Sequence, residues 1–302
     1  VIIQNSQVPW IDDTADGSAG SGLMHHKFIV VDNRFVMITS ANFTLSDTSG
    51  DIGNSSSLGN ANNLLKIDSP ELATLFTEEF NIMWGDGPGG TPDSKFGLQK
   101  PIRKPQKITL VNNQITVKFS PISPTQPWIN SSNGLISQTL DKASKNIDMA
   151  LFVFSEQRIA NILENRHNQN VVIRVLIEPQ FAYRSYSEAL DMMGLAVIEK
   201  CKYEVDNRPW KNPITSVGIP TLPTGDSLHH KFAIIDNTTV ITGSHNWSEA
   251  ANHNNDETLL IIENSQVAAH FQREFDRLYS TIQPGLPLTI QAKNDAKIKQ
   301  CL

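Results

Sequence analysis

The chain has 302 residues, 39% of them apolar and 19% charged, and a net charge of 25 − 31 = −6. This composition excludes a disordered chain and the strongly basic profile of a protein that coats nucleic acid, so any polyanion contact must be a local patch. No apolar run approaches the roughly 18 residues of a membrane span, and two cysteines, Cys201 and Cys301, are too few for a disulfide framework or a Cys-based zinc site and choose no compartment.

In chain order, residues 24–44 (MHHKFIVVDNRFVMITSANFT) read as strand, turn and strand, with the turn at Asp32-Asn33. A stretch rich in Ser, Gly, Asn and Asp runs from Leu45 to Ala61, and an apolar segment follows at Leu64–Ile67. The Gly/Pro-rich run Gly85–Pro92 breaks the chain, and with Pro101, Pro105 and their basic neighbours it defines a linker over 84–106. Ile108–Ser120 alternates around Asn112-Asn113 as a strand pair, Asn133–Lys145 reads as a helix, and Ile147–Phe154 as a strand. Glu156–His167 carries Ile159, Ile162 and Leu163 at helical spacing, Val171–Ile177 reads as a strand buried on both faces, and Ser185–Met193 as a short helix. Two strands follow around Asp236-Asn237, then a strand at Thr258–Ile262 and a helix at Gln266–Tyr279; residues 283–302 are polar and Lys-rich and read as a linker or frayed tail. Strands alternating with helices define an α/β layered class.

The chain repeats itself. Residues 228–248 (LHHKFAIIDNTTVITGSHNWS) match 24–44 at nine of 21 positions without a gap. The match continues: Leu64–Ile67 aligns with Leu259–Ile262, and Phe76–Phe80 with Phe271–Phe275. The offset falls from 204 to 195, so the loop after Asn42 is nine residues longer than its counterpart after Asn246. The units are therefore a first repeat over 1–83, the linker 84–106, a second repeat over 107–282 and the tail 283–302. Far more chain precedes His229 in its repeat than precedes His25. By symmetry roughly a hundred residues of the first repeat are expected to be missing from a processed or excised chain, and a leader cannot be assessed.

Each repeat carries His-x-Lys, four residues, then Asp: His25, Lys27 and Asp32; His229, Lys231 and Asp236. Alternate residues of a strand share a face, so each imidazole projects with its ammonium. Ser40 and Asn42, or Ser244 and Asn246, return to the same strand ends. Two lysines and two amides can neutralise the equatorial oxygens of a phosphodiester. Two imidazoles can divide the roles of nucleophile and proton donor near neutral pH. A zinc site from His229, His230, His245 and His253 is disfavoured by the interposed lysines. Ser40 and Ser244 lack the context of a nucleophile elbow, and His26 reads as a bystander.

The paired pattern resembles the HKD motifs of the phospholipase D superfamily, H-x-K-x4-D followed by G-S-x-N. The second motif fits throughout, with Gly243 before Ser244; in the first, Thr39 replaces the glycine. The resemblance implies two α/β/α halves with both motifs at their interface, a site complete within one chain, a phosphohistidine intermediate, and no metal or other cofactor. It further implies that His25 attacks and His229 is the general acid, with Lys27, Lys231, Asn42 and Asn246 binding phosphate and Asp32, Asp236, Ser40 and Ser244 in support. Relatives place an acidic residue after G-S-x-N to orient a histidine. Glu257 stands there, whereas its counterpart Asn62 cannot be anionic, which makes the two histidines unequal.

The block Leu228–Glu257 is most similar to the bacterial endonucleases of the superfamily. A nuclease is therefore the expected activity, with nucleic acid as substrate and Arg184, Arg208, Trp210 and Lys211 as candidate groove residues. The alternatives are a phospholipid-directed phosphodiesterase or phosphatidyltransferase, which predicts an apolar entry surface or an interfacial helix, of which the sequence offers no strong example, and a binding module that retains the fold.

Overall fold

The computed structural model describes residue 3 and residues 5–18, 22–111 and 113–301. The first repeat forms β1 (Phe28–Val31), β2 (Phe35–Thr39), a short helical turn α1 (Leu45–Thr48), β3 (Leu64–Asp68) and the helix α2 (Pro70–Trp84). Its strands make an antiparallel sheet in the order β1-β2-β3. The second repeat opens with β4 (Gln106–Leu110), β5 (Asn113–Phe119), α3 (Ser132–Leu140), β6 (Asn146–Leu151) and α4 (Gln157–His167). It continues through β7 (Val172–Ile177), α5 (Pro179–Ala182), α6 (Glu188–Met192), β8 (Ile198–Glu199), β9 (Lys202–Tyr203) and β10 (Val217–Gly218). It closes with β11 (Lys231–Ile235), β12 (Thr239–Gly243), α7 (Glu249–His253), β13 (Thr258–Glu263), α8 (Ser265–Tyr279) and α9 (Leu288–Cys301). The larger sheet has eight strands in the order β10-β7-β6-β11-β12-β13-β5-β4, with β6-β7 and β7-β10 parallel and the rest antiparallel.

The two hairpins that carry the motifs turn in the same way. Asp32, Asn33, Asp236 and Asn237 all take positive φ, between 50° and 57°, a left-handed conformation that Asp and Asn tolerate and a tight hairpin requires. Asn112 of the β4-β5 turn lies outside the described residues.

The α/β layers expected from the sequence are present. One face of the large sheet packs under α3 and α4 through Ile136, Ile159, Leu163, Ile147 and Ala233. The other packs under α8 through Phe232, Ile234, Phe271 and Phe275. The halves join through a shared core: Val36, Ile38, Leu72 and Phe76 of the first meet Ile115, Val117, Phe119 and Leu260 of the second. Each such large side chain contributes roughly 1.5–3 kcal/mol by leaving water. The sheet of the first half differs from its counterpart in having no helix on its second face among the described residues, so Ile29, Val31 and Leu64 are exposed there.

Two expectations need correction. The tail is not frayed: α9 lays Ile290 against Leu190, Leu195 and Val197, and Asn294 donates to the Ala196 carbonyl at 2.8 Å. The two cysteines, too few for a framework, form a single Cys201–Cys301 bridge that ties the end of α9 beside the β8-β9 hairpin.

Residues 84–106 cross between the halves and are anchored on the way. The Lys100 ammonium is buried between the Glu79 carboxylate of α2 and Asp256, the latter at 2.6 Å. Burial raises the Glu79 pKa, but His26 and Lys100 outweigh it and bring it down to about 2. A carboxylate with a depressed pKa contributes stability that is complete above its unfolded value and is lost as pH falls through the folded one. Lys100→Met leaves two buried carboxylates without their shared cation and is expected to cost roughly 3 kcal/mol at pH 7. The gap to wild type should narrow between pH 4.5 and pH 2 as Glu79 takes up its proton. Urea midpoints at pH 7 and pH 3 check both statements.

Candidate active site

Each motif strand begins at the boundary between the halves and pairs there with the other half. The His25 backbone N–H donates to the Asp256 carbonyl at 2.9 Å, and the His229 N–H donates to the Ala61 carbonyl at 2.9 Å. This exchange brings the histidine of each repeat to the residue that precedes the last strand of the opposite repeat. His25 Nδ1 lies 2.8 Å from Glu257 Oε2. His229 Nδ1 lies 3.0 Å from Asn62 Oδ1. Ser244 Oγ donates to the same Glu257 oxygen at 2.6 Å, and Ser40 Oγ donates to Asn62 Oδ1 at 2.9 Å. The serines therefore orient the groups that hold the histidines.

The lysines repeat the symmetry. Lys27 Nζ donates to the His25 carbonyl at 3.0 Å, and Lys231 Nζ to the His229 carbonyl at 2.9 Å. Burial pulls Lys231 down to about 7, with Lys27 adding to the effect, and pulls Lys27 down to about 8 against the pull of Glu257 and Asp47. Burial together with Lys231 pushes His229 down to about 3, against Asp47. Glu257 is also buried, which raises its pKa, but the bond to His25 more than compensates and lowers it. These cross-influences bring Lys27, Lys231, His25, His229, Glu257 and Asp47 within electrostatic reach of one another. Asn42 and Asn246 are half-buried at the ends of their strands, and the Oδ1 of Asn246 is buried without a hydrogen-bond partner.

The glycine before Ser244 and its replacement have one explanation. Gly243 sits at φ 136°, and a Cβ there would meet the Thr258 carbonyl oxygen at 2.1 Å. In the first half the corresponding carbonyl belongs to Asn63, and the Thr39 hydroxyl donates to it at 2.7 Å. A close backbone approach is thus exchanged for a side-chain hydrogen bond.

The motif aspartates lie at the far ends of their strands. Asp32 is exposed in its turn. Asp236 accepts from the backbone of Ser144, Lys145 and Asn146 at 2.7–3.0 Å and fixes the start of β6. Neither touches the site, and their support is to the hairpins.

The candidate groove residues are elsewhere. Trp210 is 4% exposed, in the core under α4, stacked on His167 of that helix with ring centroids 5.7 Å apart. It cannot stack on a base. The Lys211 N–H bonds Glu164, and the Arg208 N–H bonds Asp191. Arg184 folds back onto the Gln180 carbonyl at 3.0 Å.

Several site residues were not singled out by the sequence. Phe152 stands edge-on to His229, with ring centroids 4.6 Å apart, and lies under Lys231 Nζ at 4.7 Å. His26 and His230 are buried ties between the halves: His26 Nδ1 meets Thr258 Oγ1 at 2.8 Å, and His230 Nδ1 meets the Asn63 amide at 3.2 Å. Their only signal was identity between the repeats. The histidines of the zinc alternative diverge, with His245 on Asn133 and His253 on the Ile122 carbonyl. Among the described residues no three His, Cys, Asp or Glu side chains are grouped as a metal ion requires.

A duplicated His-Lys-Asn set facing itself across two α/β halves defines the phospholipase D class of phosphodiesterases. The chain belongs to that family: residues 2–84 and 136–279 match the family model described as cardiolipin synthase, PLD-like domain. It is 26% identical over 193 residues to the mitochondrial cardiolipin hydrolase of Xenopus tropicalis, covering 62% of this chain and 81% of that protein. Among solved structures, phosphatidylserine synthase from Haemophilus influenzae shares the fold at a TM-score of 0.56 and 13% identity, over 93% of this chain and 70% of that one. Nuc, a phospholipase D family member from Salmonella typhimurium, is 20% identical over 58% of this chain and 100% of its own, at a TM-score of 0.44.

Proposed function

We propose that this chain hydrolyses phospholipid phosphodiesters through a covalent intermediate on His25. Glu257 at Nδ1 of His25 leaves the Nε2 lone pair free to attack phosphorus and stabilises the positive charge that develops on the phosphorylated ring. The bond to the leaving alcohol breaks as His229 Nε2 delivers its proton to that oxygen. Water then loses a proton to His229, attacks phosphorus and releases His25. Lys27, Lys231, Asn42 and Asn246 hold the non-bridging oxygens throughout. His229 lies near 3 in the free protein, and the anionic substrate supplies the charge that lets it carry a proton.

The choice of lipid rests on the surface around the motif strands. Leu23 and Met24 precede His25, Phe43 and Leu45 follow Asn42, and all four are exposed, Phe43 by 64%. On the His26 side of the same segment, Trp10, Phe80, Trp84 and Phe96 line a largely apolar cleft of about 380 Å³ that also carries Asp12 and Asp13. Such a rim suits a lipid-water interface better than a phosphate backbone. No helix among the described residues is long and apolar enough to cross a membrane. The likeness of residues 228–257 to bacterial endonucleases supports a nuclease as the second reading.

The test is a substrate panel with EDTA present: cardiolipin and phosphatidylcholine vesicles, single- and double-stranded DNA, and RNA. Lipid turnover lost in His25→Ala and His229→Ala is the expected outcome. Cleavage of nucleic acid with lipid untouched selects the nuclease. Activity only on adding a divalent metal contradicts the mechanism.

A further inference from the structure

His25 and His229 are held unequally. Glu257 meets His25 directly, whereas the counterpart at His229 is the neutral Asn62. Behind Asn62 stands a carboxylate. Asn62 Nδ2 donates to Asp47 Oδ1 at 3.0 Å, and that oxygen lies 3.6 Å from His229 Nδ1. The Asp47 side chain is 1% exposed. It also accepts from Asn60 Nδ2 at 2.7 Å, from the Asn42 N–H at 2.9 Å and from Thr44 Oγ1 at 3.3 Å.

A carboxylate only accepts. It therefore turns the Asn62 amide so that its NH2 faces Asp47 and its Oδ1 faces His229. That oxygen in turn accepts a hydrogen bond from His229 Nδ1–H at 3.0 Å and leaves the Nε2 lone pair free. Lys231 and Lys27 also act on His229, and its Nδ1 is hydrogen-bonded to Asn62. Asp47 belongs to Leu45–Ala61, the stretch that is nine residues longer than its counterpart. The far side of that stretch is moored to the second half, with Ser57 and Leu58 bonded to Asp226 and Asn54 to the Thr224 carbonyl.

We infer that Asp47, acting through Asn62, is a positioning residue for His229, giving through an amide relay the carboxylate that Glu257 gives directly to His25. The inference rests on the reading of His229 as the acid and base of the reaction. The extra loop length is then the local change that serves a site whose neighbouring acid is absent.

The experiment combines ring nitrogen NMR of the 15N-labelled full chain with turnover of bis(4-nitrophenyl) phosphate. The His229 signals are assigned by their loss in His229→Gln. In wild type His229 should show a protonated Nδ1 and an unprotonated Nε2. Asp47→Asn should disturb that pattern while leaving His25 unchanged. Turnover should fall about 10- to 100-fold with KM changed less than about threefold, and the exchanged pair Asp47→Asn with Asn62→Asp should recover at least about tenfold of the loss. Unchanged His229 signals in Asp47→Asn overturn the inference, as does a loss of turnover that follows a lowered melting temperature and is not recovered by the exchange. If the NMR pattern shifts as expected but wild type turns over no phosphodiester, the proposed function fails and the positioning of His229 stands.

Discussion

His25→Ala is expected to lower phosphodiester turnover by about 10⁴-fold or more, because the variant has no nucleophile to accept the phosphoryl group. His229→Ala should behave differently, and the difference depends on the leaving group. With a phospholipid, whose alcohol leaves poorly, loss of the proton donor should cost nearly as much. With bis(4-nitrophenyl) phosphate the leaving oxygen needs no proton, so the first step survives and one equivalent of nitrophenol appears in a burst. The second step then stalls, since water has lost its base. Steady-state rates and pre-steady-state bursts on both substrates separate the two roles.

The second large effect concerns pH. Lys231 lies near 7 and Lys27 near 8, both pulled down from the ordinary lysine value first by burial. Their charged forms bind the phosphate oxygens, so affinity is lost as pH rises through those values. Between pH 8 and 10, kcat/KM should fall by about tenfold per unit for each proton that binding requires. The fall is expected to appear in KM more than in kcat, because bound phosphodiester restores the lysine charge. Lys231→Met should remove the share of this dependence that Lys231 carries, leaving a fall of about tenfold per unit from Lys27, and cost on the order of 10²- to 10³-fold in kcat/KM. A profile that stays flat to pH 10 in wild type would contradict a phosphate clamp built from these two lysines.

Much of the site was legible because the repeat doubles every signal. One His-x-Lys is uninformative, but two in register, each with Ser and Asn at the same distance downstream, mark strand ends that meet. Glu257 was legible only through the resemblance, because relatives place an acidic residue after G-S-x-N, and its partner was not: the crossing of strand starts at Asp256 and Ala61 pairs each histidine with the opposite repeat. Asp47 was hidden because a Ser/Asn/Asp-rich stretch has the composition of any loop, and the excess length was its only trace. Arg208, Trp210 and Lys211 misled because closeness in sequence to the second motif says nothing about which end of a strand or helix a residue occupies. Trp210 is held by the core, which a single aromatic in a polar segment does not reveal.

The elements of the second repeat were readable from periodicity, since strands such as β7 and β13 are runs of β-branched and apolar residues. Helix α9 was not, because its ties to the body run through Ile290, Asn294 and the bridged Cys301, and its remaining sequence is that of a solvated tail. The joining of the halves by Lys100 was equally silent: a lysine in a Pro-rich linker gives no sign that two carboxylates from different repeats close around it.

A covalent intermediate on His25 can be trapped and located. His229→Ala is mixed with bis(4-nitrophenyl) phosphate, quenched in base to preserve a phosphorylated histidine, digested and read by mass spectrometry. A nitrophenyl phosphoryl adduct on the peptide that contains His25, absent from His25→Ala, is the predicted result. An adduct on another residue, or wild-type turnover that proceeds in oxygen-18 water with no adduct at any time, would contradict the account.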